Sequence, residues 1–131
     1  MAGALEAALA QTIAHVNERQ QFGRPLARFQ VIQHQVALLA EEAAAVACAA
    51  QAACAAADRG DVAFAIPAAK LRANRAVSQA TSIAHQLHGA IGFTREHALH
   101  HLSQRLWGWQ ADFGNDRRWS THLGQLVARH G

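Results

Sequence analysis

The chain has 131 residues, long enough for one domain with a real core. Hydrophobic residues make up 51%, much of it alanine, and tyrosine is absent. The net charge of +3 comes from dispersed Lys and Arg with no basic run carrying interleaved aromatics, so nucleic acid is excluded as the expected partner. Dispersed arginines suit a phosphorylated small molecule better.

Leu5, Leu9, Ile13 and Val16 recur at helical spacing and predict an amphipathic helix over 2–18. Gly23 and Pro25 end it, within a connection that carries Arg19, Arg24 and Arg28. A second helix is predicted over 28–58, closed by Gly60 as a C-terminal cap. A third is expected over 62–87, with Pro67 tolerated in its first turns. Gly89 and Gly92 then interrupt the pattern. A shorter helix from about 96 to 107 or beyond leads to the turn Gly114-Asn115-Asp116, with Asp116 as N-cap of a last helix reaching Arg129.

No period-2 alternation appears, so strands are not expected. Ala-rich helices favour close packing because alanine loses no side-chain entropy. The expected fold is therefore all-α, an antiparallel four- to five-helix bundle forming one domain over 1–131. Some of the alanine surface is expected to serve an oligomer interface. No stretch reads as long and apolar enough to span a membrane, and Cys48 and Cys54 read as small buried hydrophobes in a reducing cytoplasm.

Two segments stand out chemically. The first, Arg19 to Gln30, packs three arginines and several amides into one short connection, which makes an anion-binding surface. The second is Gln86-Leu87-His88-Gly89-Ala90-Ile91-Gly92-Phe93. The order Arg19, Gln21-Phe22-Gly23, Pro25-Leu26 and Phe29-Gln30, followed by the Gln86 to Phe93 block, resembles the acyl-CoA dehydrogenase family. More narrowly, it is similar to the start of that family's C-terminal helical domain. His15 stands where the family usually has an aromatic. The resemblance covers about Leu5 to Val127.

This resemblance implies roles. Arg19 and Gln21 would contact the diphosphate and adenosine part of FAD across a subunit interface. Phe22, Phe29 and Gln30 would line the same channel. Gln86, Leu87, His88, Gly89 and Ala90 would lie along the diphosphate, with glycines letting backbone N–H groups approach it. The family's catalytic Glu, in an aromatic-Glu-Gly motif, falls on Phe113 before Gly114. Phenylalanine cannot accept a proton, and the neighbouring Asp112 has a shorter side chain and would need a shifted register.

The implied function is the C-terminal domain of a flavin-dependent acyl-CoA dehydrogenase, which desaturates acyl-CoA at the α,β bond. Acyl-CoA would reach it only through the complete enzyme, because the family's N-terminal and middle domains are not represented in these residues. The alternative is a non-catalytic helical subunit that pairs with itself or with a full-length dehydrogenase. A metal site built on His97, His100 and His101 at i, i+3 and i+4 spacing is a third, weaker reading, since only Glu96 is a nearby carboxylate. His85 and His88 suit helix packing or the flavin loop equally. Trp107, Trp109, Trp119 and Phe113 are expected to form one aromatic packing cluster.

Overall fold

The computed structural model describes residues 1–89 and 98–130. The described chain runs α1 (Ala2–Glu18), β1 (Gln20–Gln21), β2 (Arg24–Pro25), a 3-10 turn (Leu26–Arg28), α2 (Gln30–Asp58), α3 (Ala65–His88), α4 (Ala98–Ala111) and α5 (Asp116–His130). The all-α bundle expected from periodicity is what forms. α3 is its axis and packs against α1, α2, α4 and α5.

The reason lies in the residues of α3. Ala73, Ala76, Ala80 and Ala84 are all buried and repeat every three or four positions. That stripe of small side chains lets neighbouring helices come close. Between them Val77, Ile83 and Leu87 meet Leu5 and Val16 of α1, Leu39 and Val46 of α2, and Leu99 and Leu106 of α4. Glu42 of α2 and Arg72 of α3 form an ion pair at 2.6 Å that fixes the register of the two longest helices.

The ends follow capping chemistry. α2 closes with Gly60 at φ +75°, Gly60 N–H donating to Ala57 O and Asp61 N–H to Ala56 O, a double bond pattern that satisfies its last carbonyls. Pro67 is the third residue of α3, where its missing N–H costs nothing.

Several expectations are corrected. A two-stranded antiparallel ladder pairs Gln20 with Pro25 and Gln21 with Arg24. Strands of two residues are too short to show alternation in sequence. The cap of α5 is Asn115 rather than Asp116, its Oδ1 accepting the Arg118 N–H at 3.1 Å. Cys48 and Cys54 are both exposed. Alanine on every side of α2 hides which face is covered, so periodicity could not place them.

α2 is also long and apolar enough to cross a membrane by length and composition, with a mean hydropathy of 1.4. Its many alanines raise the mean without any long run of large apolar residues. In the bundle its Leu39, Ala43 and Val46 face the core.

Candidate functional site

The connection after α1 folds as a tight hairpin. Arg19 leaves the helix in extended conformation, its N–H donating to His15 O at 2.8 Å, and its own carbonyl accepts the Leu26 N–H at 2.8 Å. The turn residues are Phe22 at φ +52° and Gly23 at φ +76°. Two successive left-handed residues are what a two-residue hairpin needs to match strand twist, and glycine meets that need easily. Phenylalanine does not, and this one is 92% exposed. Arg24 then starts the return, followed by Pro25, which has no N–H. Arg24 lays its guanidinium over the Phe29 ring at 4.1 Å, and Phe22 meets Phe29 edge to face at 6.4 Å.

The hairpin lies beside the C-terminal end of α3. Together they enclose an open cavity of about 380 Å³, to which Arg19 and Gln21 contribute from one side and Gln86, Leu87, His88 and Gly89 from the other. Sequence positions nearly seventy residues apart thus meet. Phe22 and Phe29 border a smaller neighbouring cavity of about 160 Å³ that shares Gln21 with the first. Gln30 lines neither; it is the exposed first residue of α2. Ala90 lies outside the described residues.

His15, Leu26 and Ile32 also line the main cavity and were not singled out from sequence as contacts. The signal for His15 was present: it lies four residues before Arg19, on the same helix face. Its ring stacks on that of His88 with centroids 4.4 Å apart, joining α1 to α3 beneath the cavity. His88 Nδ1 sits 2.8 Å from Ala84 O and donates to it.

One expectation about the loop changes. Gly89 is left-handed at φ +63°, and its N–H is spent on Gln86 O as the cap of α3. That backbone group is not offered to a ligand. Both α1 and α3 moreover end at this cavity, and helix C-termini carry partial negative charge. Arg19 is therefore the positive charge that makes the cavity suit an anion, with the Gln21 and Gln86 amides as neutral donors.

The position to which the resemblance assigns the base lies in a second place. Asp112 and Phe113 border a cavity of about 350 Å³ with Ile66, Lys70, Trp109 and Trp119. Phe113 is 89% exposed and left-handed at φ +59°. Lys70 Nζ donates to Asn74 Oδ1 at 2.7 Å and to Trp109 O at 2.5 Å. Burial holds the Lys70 ammonium below its ordinary range, with the Asp112 and Asp116 charges opposing that shift.

The tryptophans divide. Trp109, Trp119 and Phe113 share this cavity, whereas Trp107 sits against α3, stacked on His85. His85 is buried and pairs with Ser103 at 2.7 Å, a packing role. No group of three or more metal-ligating side chains occurs among the described residues, and His97 lies outside them.

Comparison with known proteins identifies the arrangement. The model of the acyl-CoA dehydrogenase C-terminal domain matches residues 1–110. The chain belongs to the acyl-CoA dehydrogenase family. It is 37% identical over 106 residues to acyl-CoA dehydrogenase IpdE2 of Mycobacterium tuberculosis, covering 81% of this chain and 32% of that protein. It therefore spans about a third of that relative's length.

Solved structures share the fold. The FAD complex of PigA superposes with a TM-score of 0.88 at 22% identity, over 99% of this chain and 34% of that one. The ChsE4-ChsE5 complex from Mycobacterium tuberculosis gives 0.91 at 20%, over 97% and 35%. At these identities the likeness shows a shared fold alone, and the family model carries the membership.

Proposed function

We propose that this domain supplies FAD diphosphate contacts and part of the oligomer interface to a flavin-dependent acyl-CoA dehydrogenase that desaturates acyl-CoA. The observation that carries the reading is the cavity in which Arg19 and Gln21 face Gln86 and Gly89. When bound, the flavin supplies the hydride acceptor. The chain's own residues bind and orient: the Arg19 guanidinium offers a planar fork of donors to phosphate oxygens, and the Gln21 and Gln86 amides add neutral donors.

The residues fit the anionic middle of a dinucleotide and not a whole flavin site. The flavin ring and the acyl chain would be held by other domains or another chain. The exposed Ala-rich face of α2, with Val31 66% exposed, is the surface we assign to assembly. The same reading places the chain in the cytoplasm, where exposed Cys48 and Cys54 stay reduced, without nucleic acid or membrane as partner.

The second reading, a non-catalytic subunit that assembles with itself or with a full-length dehydrogenase, is favoured by Phe113 at the base position. It predicts no acyl-CoA oxidation by the purified chain with a dye acceptor. Turnover there would overturn both the missing base and the incomplete site.

The direct test is titration with FAD, followed by flavin fluorescence and thermal unfolding. Binding is expected, and Arg19→Ala should weaken it by about 1.5–3 kcal/mol, the worth of one charge-assisted contact. Equal affinity in the variant removes Arg19 from the site. A chain that neither binds FAD nor melts later in its presence rules out flavin binding by this domain alone.

A further inference from the structure

Under the Arg19 cavity lies a pair of titratable rings. His15, in the last turn of α1, stacks on His88, the last residue of α3, with centroids 4.4 Å and planes 24° apart. Both line the cavity together with Arg19. Both stand at helix C-termini, whose partial negative charge favours an imidazolium. Burial sets them apart. His88 is 4% exposed, and its Nδ1 donates to Ala84 O at 2.8 Å, so one nitrogen is committed to its own helix. His15 is only half-buried. Desolvation works against charge on a buried ring, so His15 is the member of the pair placed to take a proton.

The charges around it set when that happens. Arg19, on the connection after α1, faces the same cavity and opposes a second positive charge. α2 contributes Ile32 to this cavity and no charge. On α3, like charges on rings 4.4 Å apart would repel, so the stacked pair holds one proton rather than two. His85, one turn earlier, is engaged with Ser103 and Trp107 instead. At the start of α4, His100 and His101 pack on one another, and neither lines the cavity. Glu18 is exposed and lies outside the lining as well. Among the described residues, then, Arg19 is the charge that holds His15 neutral, and an anion bound at Arg19 cancels it.

We propose that His15 is a proton-dependent second anion contact: an anion at Arg19 draws a proton onto His15, and the imidazolium in return holds the anion. This rests on the reading of the Arg19 cavity as a diphosphate site and adds the residue that makes binding there depend on pH. The proton passes from the buffer to an imidazole nitrogen as the ligand enters, and no other covalent bond forms or breaks in the site. Linkage is reciprocal, so affinity rises as pH falls through the range in which imidazole titrates, about pH 8 to 6. An aromatic ring without a nitrogen, of the kind the family usually has at this position, would keep the stack and lose the proton.

The test is calorimetric titration of the chain with FAD from about pH 8 to 6, in two phosphate-free buffers of different ionisation enthalpy. The diphosphate of FAD is esterified at both ends and keeps its charge over this range, so any proton taken up is the protein's. FAD should bind about 5- to 10-fold more tightly at pH 6 than at pH 8, with net proton uptake on binding. His15→Phe should abolish both the uptake and the pH dependence, leaving affinity near that of the unaltered chain at the upper end of the range. His15→Gln should do the same, which guards against one variant failing to fold. Affinity that stays flat with pH in the unaltered chain overturns the assignment, as does a pH dependence that survives in the folded variants. A variant that weakens FAD equally at both ends of the range gives His15 a packing role only and overturns it too. Absence of FAD binding at every pH removes the diphosphate reading, and this one with it.

Discussion

Two turns in this molecule are built from the same pair of residues. Phe22-Gly23 and Phe113-Gly114 each place both members in the left-handed region, and each leaves the phenyl ring almost fully exposed. Their surroundings are opposite. A Cβ on Gly23 would meet nothing within 4 Å, whereas one on Gly114 would lie 2.6 Å from Trp119 Nε1. The first turn is a free tip; the second is clamped from behind. Trp119 Nε1 donates to Phe113 O at 3.0 Å, Asn74 Nδ2 donates to Gly114 O at 3.2 Å, and Gln110 Nε2 donates to Asn74 O at 2.8 Å. Identical local sequence thus makes an open, exposed tip in one place and a rigid scaffold in the other. The difference lies in what α3 and α5 put behind each.

The contrast can be broken experimentally, and the largest effect should come from the clamped turn. Gly114→Ala combines left-handed strain with a collision against an indole that is itself hydrogen-bonded. A loss of about 3 kcal/mol in urea unfolding is expected. Asn74→Leu should cost about 2–3 kcal/mol in the same measurement, because it strips partners from Lys70 and the Gly114 carbonyl together. At the free tip, Gly23→Ala pays only the left-handed term, about 1 kcal/mol. If Gly23→Ala proves as costly as Gly114→Ala, the two turns do not differ as described.

The smallest effect concerns Lys70, which anchors the clamp. Its folded pKa is depressed below 10.5, so the folded state holds this proton less tightly than the unfolded state. Its burial penalty is present below the folded value and relieved as pH rises through it. Stability measured as pH rises toward 10.5 should carry a rising contribution that Lys70→Met removes. A profile unchanged by Lys70→Met refutes that contribution.

Much of this could be read in the sequence, for reasons that are physical. Helix α1 announces itself because Leu5, Leu9, Ile13 and Val16 repeat at helical spacing, and Leu5 and Val16 are buried. The meeting of Arg19 with Gln86 was legible only through a family resemblance, since no periodicity brings residues so far apart together. Alanine was the main obstacle. It is helical and small on every face, so the sequence reads Cys48 and Cys54 as buried although both are exposed. The hairpin was invisible because two-residue strands have no pattern. The engagement of the Gly89 N–H was also invisible, since a glycine that opens space for an anion and one that caps a helix are written with the same letter.

That spent N–H has a consequence for how the cavity would behave in salt. A phosphate cradle made of backbone amides at a helix start keeps its grip through geometry. Here two helices present their negative poles, and attraction depends on one exposed guanidinium. Charge interactions of that kind are damped over about 8 Å at physiological ionic strength. Ligand residence at this surface should therefore fall steeply as salt rises. In the proposed assembly, it should recover where another chain closes over Arg19 and excludes the ions that compete for it.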